Sequence, residues 1–173
     1  MQSTLCFDMK RVLVIGCPGA GKTTFSRKLA AKTGLPIIHL DAMFWKENWT
    51  HITKEEFDSK LEAVLEQESW IIDGNYSRTL PQRLSKCDCV IYLDYSRIVC
   101  LIGVLKRVLH YYGKSRPDMA DNCPERLDIA FLKYVWSFSK VEKPKITQHL
   151  NSADIPTFIF KNRKEAERFL ANF

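Results

Sequence analysis

The chain has 173 residues, 46% of them apolar and 27% charged, with a formal net charge of +6. That length suits one domain, 1–173, with a sizeable core, and no apolar run reaches the length of a membrane span. The charge is uneven: Arg97 to Lys145 holds ten Lys or Arg against five Asp or Glu, a surplus that suits polyphosphate, nucleic acid or plain solvent.

In chain order, "RVLVIG" around Val12 reads as a buried strand. "GCPGAGKTT" follows (Gly16 to Thr24), and then a helix with Phe25 and Leu29 four apart and Gly34 placed to cap its end. "PIIHL" near Ile37 is a second strand, and Pro36 at its start predicts an edge position. Asp41 closes that strand, with Phe44, Trp45 and Trp49 just beyond. Thr53 and Glu56 make a capping box before the apolar periodicity of Phe57, Leu61, Val64 and Leu65. "WIID" near Ile71 and "CVIYLD" near Val90 are further strands. Helices are predicted over Ser96–Tyr112, whose "IVCLIGVL" suits burial, and over Pro124–Val141. Between them "GKSRPDMADNC" is polar and turn-rich, a mobile lid insert at about 113–124 over the sheet's carboxyl end. "TFIF" near Phe158 is the last strand, and Asn162 with Glu165 starts the last helix. Strands alternating with helices predict an α/β fold with a parallel sheet covered on both faces.

Two whole-chain expectations complete this reading. The six cysteines (Cys6, Cys17, Cys87, Cys89, Cys100, Cys123) form no paired CxxC units, and no His stands near Cys87 and Cys89 at a zinc spacing. They read as reduced, mostly buried thiols. The N-terminus lacks the pattern of a signal peptide, and together these features predict a cytoplasmic location.

"GCPGAGKTT" satisfies G-x-x-x-x-G-K-[ST] in the context the motif needs, after an apolar strand and before an amphipathic helix. Gly16, Gly19, Ala20, Gly21, Lys22, Thr23 and Thr24 are the candidate nucleotide-binding residues. Glycines let backbone N–H groups turn around phosphates, and the helix N-terminus adds partial positive charge. Lys22 is placed to reach the β- and γ-phosphates of ATP and Thr23 to ligate Mg²⁺.

A P-loop also needs a carboxylate on a neighbouring strand. Asp73 and Asp94 both end apolar strands. Gly74 lets the chain turn and leave Asp73 facing the phosphates, whereas Asp94 leads into Tyr95-Ser96-Arg97, where an Asp or Ser caps a helix. Asp73 is the favoured metal-shell residue.

"DGNYSRTLPQRL" resembles the "DGFPRTLPQ" motif of adenylate kinases, with one residue more between Asp73 and Arg78. The resemblance implies that Asp73 helps organise Mg²⁺ and that Arg78 meets the acceptor. The Arg of their "TGDMLR" motif has no counterpart in "LDAMFWK". "HLDAMFW" (His39 to Trp45), "WIIDGNYSRTL" (Trp70 to Leu80) and "RPDMADNCPERLD" (Arg116 to Asp128) together resemble the bacterial family of DNA topology modulation proteins, a branch of the adenylate-kinase-like P-loop kinases. That implies a P-loop fold with a five-stranded parallel sheet in the order 2-3-1-4-5, and Arg107, Arg116 and Arg126 as lid arginines closing on the transferring phosphoryl group. It also implies that the turn at Lys161-Asn162 lies against the adenine.

Asp41, at the sheet's ligand-binding edge, reads as an acceptor contact, a base, or a loop carboxylate capping local N–H groups. Phe44, Trp45 and Trp49 read either as base-stacking residues or as core. The leading expectation is an ATP–Mg²⁺ phosphotransferase for a nucleotide or small-molecule acceptor. Its catalytic residues are Lys22, Asp73, Arg107, Arg116 and Arg126; Thr23 and Asp73 hold the metal, and Asp41 and Arg78 hold the acceptor. The alternative is a nucleotide-gated nucleic-acid binder, against which stands the lack of a helix-turn-helix, zinc or aromatic nucleic-acid motif.

Overall fold

The computed structural model describes residues 9–173. Cys6 lies outside them; Cys17, Cys87, Cys100 and Cys123 are thiols, not disulfides. Five strands, β1 (Arg11–Gly16), β2 (Ile37–His39), β3 (Trp70–Asp73), β4 (Cys89–Leu93) and β5 (Thr157–Phe160), form one parallel sheet in the order β2-β3-β1-β4-β5. This is the expected order, with β2 at an edge as Pro36 predicts. Val12 to Ile15, Trp70 to Ile72 and Cys89 to Leu93 are all buried. Successive strand residues point to opposite faces, so continuous burial means that both faces are covered.

The helices are α1 (Lys22–Thr33), α2 (Leu40–Phe44), α3 (Lys54–Leu65), α4 (Leu80–Leu84), α5 (Arg97–Tyr111), α6 (Ile129–Ser152) and α7 (Arg163–Ala171). The capping signals are realised. Thr53 accepts from the Glu56 N–H, Asn162 from the Glu165 N–H, and Gly34 donates to Ala30. Two residues before the strand pair Trp45–Lys46 and Thr50–His51 stands the α2 residue Met43, so the region after β2 is one short helix and a small hairpin. Asp41 therefore sits in the first turn of α2, past the end of β2, which stops at His39.

Three sequence expectations need correction. Of the two cap candidates it is Ser96 that caps α5, by accepting from Val99, while the Asp94 carboxylate is held by Lys143 at 2.8 Å and by Lys161. The second lid-flanking helix starts at Ile129, because Pro124 and Glu125 are bridged to Ser115 and Tyr112 and Asp128 supplies the cap. Arg126 thus lies before the helix, not in its first turn. That helix also runs past the expected end at Val141, through Pro144, to Ser152. A helix-interior proline costs about 3 kcal/mol. Ile146 and Leu150, both buried beyond it, each return roughly 1.5–3 kcal/mol, so continuing wins.

Two contacts position the ligand edge. At Gly103, α5 meets the P-loop backbone so closely that a Cβ would collide with the Gly19 carbonyl oxygen, and a Cβ on Gly19 would collide with that of Cys100. Below the loop after β3, Arg83 of α4 is fully buried and donates to the carbonyls of Gly74 (3.0 Å), Asn75 and Tyr76 (3.0 Å). Burial lowers its pKa to about 9, with no carboxylate bonded to it among the described residues. Tyr76 stands in the left-handed region at φ 36°, a conformation costly for a tyrosine that persists where its surroundings impose it.

Gly103→Ala is expected to push α5 from the P-loop, costing about 1–3 kcal/mol of stability by overpacking and weakening nucleotide affinity, read by thermal melts with and without ATP. Arg83→Met, which strands three carbonyls, is expected to cost roughly 2–4 kcal/mol in chemical denaturation.

Candidate active site

The site is a cavity at the carboxyl end of the sheet, bounded by the P-loop, the loop after β3, the α2–hairpin segment and the lid. Gly21 is the N-cap of α1 and has no side chain to cap it. The first-turn amides of Lys22, Thr23 and Thr24 therefore lack intrahelical partners and need an external acceptor. Gly19, Gly21, Lys22, Thr23 and Thr24 line the cavity. Ala20 is buried, its N–H given to Cys17 at 3.1 Å. Gly16 stands behind the loop.

Lys22 folds back onto its own loop, donating to Gly16 O at 2.9 Å and Cys17 O at 3.4 Å. Burial lowers its pKa, and the Asp41 and Asp73 charges act against that shift. A γ-phosphate offers this ammonium a stronger, charged acceptor than two carbonyls.

Asp73 ends β3, where Gly74 turns the chain at φ 133°. In the parallel register His39 of β2 lies opposite Asp73, and its Nδ1 bonds Asp73 Oδ1 at 2.9 Å. Burial opposes a positive His39, but the Asp73 hydrogen bond and charge outweigh it and raise its pKa. The other oxygen, Asp73 Oδ2, is buried without a hydrogen-bond partner. An orphaned carboxylate oxygen on the wall of the cavity that Thr23 also lines fits a Mg²⁺ ion or its bound water. Asp73 would hold that position through Oδ2 while His39 fixes its other oxygen; the metal itself would neutralise charge on phosphate oxygens.

The lid is folded down. Its strands of backbone are bridged at Tyr112–Glu125 and Ser115–Pro124, with Glu125 N donating to Lys114 O at 2.9 Å. Arg116, buried, contacts Glu125 Oε2 at 2.7 Å and donates to Asp118 Oδ2 at 3.0 Å. The first of these is an ion contact in which the Nε–H is not aligned as a hydrogen bond. Arg107 pairs with Glu125 Oε1 at 3.1 Å and lies over the Phe131 ring. Burial and the Arg116 charge lower the Arg107 pKa. Asp118 also accepts from the Thr23 hydroxyl at 3.1 Å. The expected metal-ligating hydroxyl thus donates its hydrogen to a lid carboxylate, which leaves the lone pairs of its oxygen for a metal. Arg126 lines the cavity from an exposed position.

Elsewhere on the cavity wall, Asp41 accepts from the Tyr76 hydroxyl at 3.0 Å, and Ser77 donates to Glu142 at 2.7 Å. Phe44 packs against His51, Phe57 and Tyr76, and Trp45 against Trp49, so these aromatics build the hairpin as well as the cavity wall. Arg78 points elsewhere. It makes a bidentate pair with Asp58 of α3 (2.8 and 2.6 Å), is half exposed, and is absent from the cavity wall.

Sequence reasoning passed over several participants. Asn75 accepts from Gly16 N at 3.0 Å and donates to Gly16 O at 2.8 Å. His39, Tyr76, Asp118, Glu125 and Glu142 also shape the cavity or its lining. His39 was readable from its place opposite Asp73 once the strand order was known; the others depend on turns that no local pattern specifies.

No protein-family model matches the chain. The adenylate kinase of Thermosipho melanesiensis is 31% identical over 106 residues, which cover 60% of this chain and 48% of that protein. The adenylate kinase of Thermotoga neapolitana is 31% identical over 113 residues, 61% of this chain and 49% of that protein. The chain spans about half the length of the curated relatives it matches. Among solved structures, shikimate kinase from Acinetobacter baumannii, in complex with shikimate, aligns with a TM-score of 0.62 at 16% identity over 98% of this chain and 93% of that one. Deoxyadenosine kinase from M. mycoides with bound dATP aligns at 0.57 and 16% identity over 93% and 97%. The fold is that of the P-loop kinases, and the sequence is adenylate-kinase-like at low identity.

Proposed function

We propose that the chain is an ATP–Mg²⁺ phosphotransferase whose acceptor is a small hydroxyl compound rather than a nucleoside monophosphate. The observation that carries the transfer chemistry is the orphaned Asp73 oxygen beside a P-loop whose first-turn amides have no side-chain cap. Lys22 shifts from its loop carbonyls to the γ-phosphate, and Arg107, Arg116 and Arg126 neutralise the charge that spreads over the transferring group.

Two features support a hydroxyl acceptor. Arg78, to which the adenylate kinase resemblance assigns the acceptor phosphate, is committed to Asp58. The wall that takes its place carries Asp41, a carboxylate with no cation paired to it among the described residues, which repels a phosphate and accepts from hydroxyls. In the proposed step Asp41 takes the acceptor's hydroxyl proton. The acceptor oxygen bonds to the γ-phosphorus as the bond from phosphorus to the β–γ bridging oxygen breaks, and ADP leaves. The Tyr76 hydroxyl orients Asp41 for this role.

The duplex-binding alternative rests on the basic segment, but much of that charge is spent within the chain. Arg107 and Arg116 are paired with Glu125, Lys143 with Asp94 and Lys145 with Glu142, and Arg97 lies over the Trp136 ring. The relatives and neighbours reported above are kinases and lend that alternative no support.

ADP release from ATP–Mg²⁺ across nucleosides, nucleoside monophosphates and polyols tests the reading. At least one hydroxyl compound is expected to accelerate release, and Lys22→Ala to lower the stimulated rate by about 100-fold or more; wild-type rates in that variant would refute the assigned chemistry. Asp41→Asn is expected to lower kcat by roughly 100-fold while ATP affinity, measured by calorimetry, holds. An unchanged kcat would remove Asp41 as the base.

A further inference from the structure

The face of α5 that looks away from the cavity carries Ile98, Ile102, Leu105, Leu109 and Tyr112, the last at its C-cap, which are 59, 47, 43, 81 and 68% exposed. Their spacing is 4-3-4-3, the a/d pattern of a helix seam, and on a 3.6-residue helix they fall in one narrow stripe. The α5 residues that meet the P-loop and cavity, Gly103, Arg107 and Tyr111, lie on the opposite side. Cys100, Val104 and Val108 face the core. The helix is therefore apolar towards both the core and solvent, and an outward heptad stripe has no use in a monomer.

We infer that α5 is the interface through which two copies of this chain associate, antiparallel about a two-fold axis at Leu105. The spacing is nearly symmetric about that residue. Leu105 would meet its own copy, Ile102 would meet Leu109, and Ile98 would meet Tyr112, so one patch serves both protomers, as a two-fold interface requires. With the neighbouring exposed Leu127, Ile129 and Trp136, the stripe offers on the order of 1,000 Å² of apolar side chain, against about 800 Å² per partner in a standard interface.

Charge favours a second copy over an anionic lipid surface. A helix lying on lipid carries a band of cations beside its apolar face. Here Arg97 is held over Trp136 and Arg107 is paired with Glu125, which leaves Lys106 as the helix's free Lys or Arg among the described residues. None of the stripe residues lines the cavity, so the association leaves the site's mouth open.

Light scattering coupled to gel filtration of the whole chain, at tens of micromolar, tests this. The wild type is expected at twice the chain mass. Leu109→Glu, which puts a carboxylate in each half of the seam at a position that contributes nothing to the monomer core, is expected at the single-chain mass with an unchanged circular dichroism spectrum. A wild type of single-chain mass overturns the inference, as does a Leu109→Glu protein that keeps the double mass. Single-chain mass together with sedimentation on phosphatidylserine vesicles would assign the stripe to a membrane surface instead.

Discussion

The side-chain amide of Asn75 bonds both the N–H and the C=O of Gly16, and this two-way pairing is the constraint on which the site depends. β3 has ended, yet the amide continues the ladder for one more step with a side chain in place of a backbone. The P-loop and the Asp73 carboxylate are thereby held at a fixed separation, since Asp73 is two residues from Asn75 and Gly16 opens the P-loop. From below, Arg83 gathers the three carbonyls of the same turn. From beside, His39 takes one oxygen of Asp73 and leaves the other free. Preorganisation of this kind lets a site stabilise developing charge without reorganising during the reaction.

The lid shows how the chain tolerates several cations facing a cavity. Glu125 lies between Arg107 and Arg116, and Asp118 extends the network to Thr23, so positive groups that would repel one another are bridged by buried carboxylates. Any anion that reaches these arginines must exchange with Asp118 and Glu125, and only the surplus over those pairs appears as affinity.

Much of this arrangement was legible in the sequence, for identifiable reasons. The five strands are continuous apolar runs, and the P-loop is a contiguous motif whose chemistry depends on backbone. Caps such as Thr53 and Asn162 act within one turn. What could not be read depends on distant partners. Arg78 looks like an acceptor ligand until Asp58, twenty residues earlier, is seen beside it. Asp94 resembles a cap until Lys143 and Lys161 arrive from α6 and the β5–α7 turn. The end of α6 was expected at Val141 because a local pattern cannot weigh the burial of Ile146 and Leu150 beyond Pro144. Asn75 has no local signature, because its role exists only after β1 and β3 are paired.

The hairpin that carries Trp45 and Trp49 and the lid that carries Arg116 are also tied to each other. Trp49 Nε1 donates to Pro124 O at 3.2 Å, Asn48 N to Asn122 O at 3.0 Å, and the Cys123 thiol to Lys46 O at 3.2 Å. While those bonds last, hairpin and lid form one wall of the cavity, and neither can swing away without breaking all three or taking the other with it.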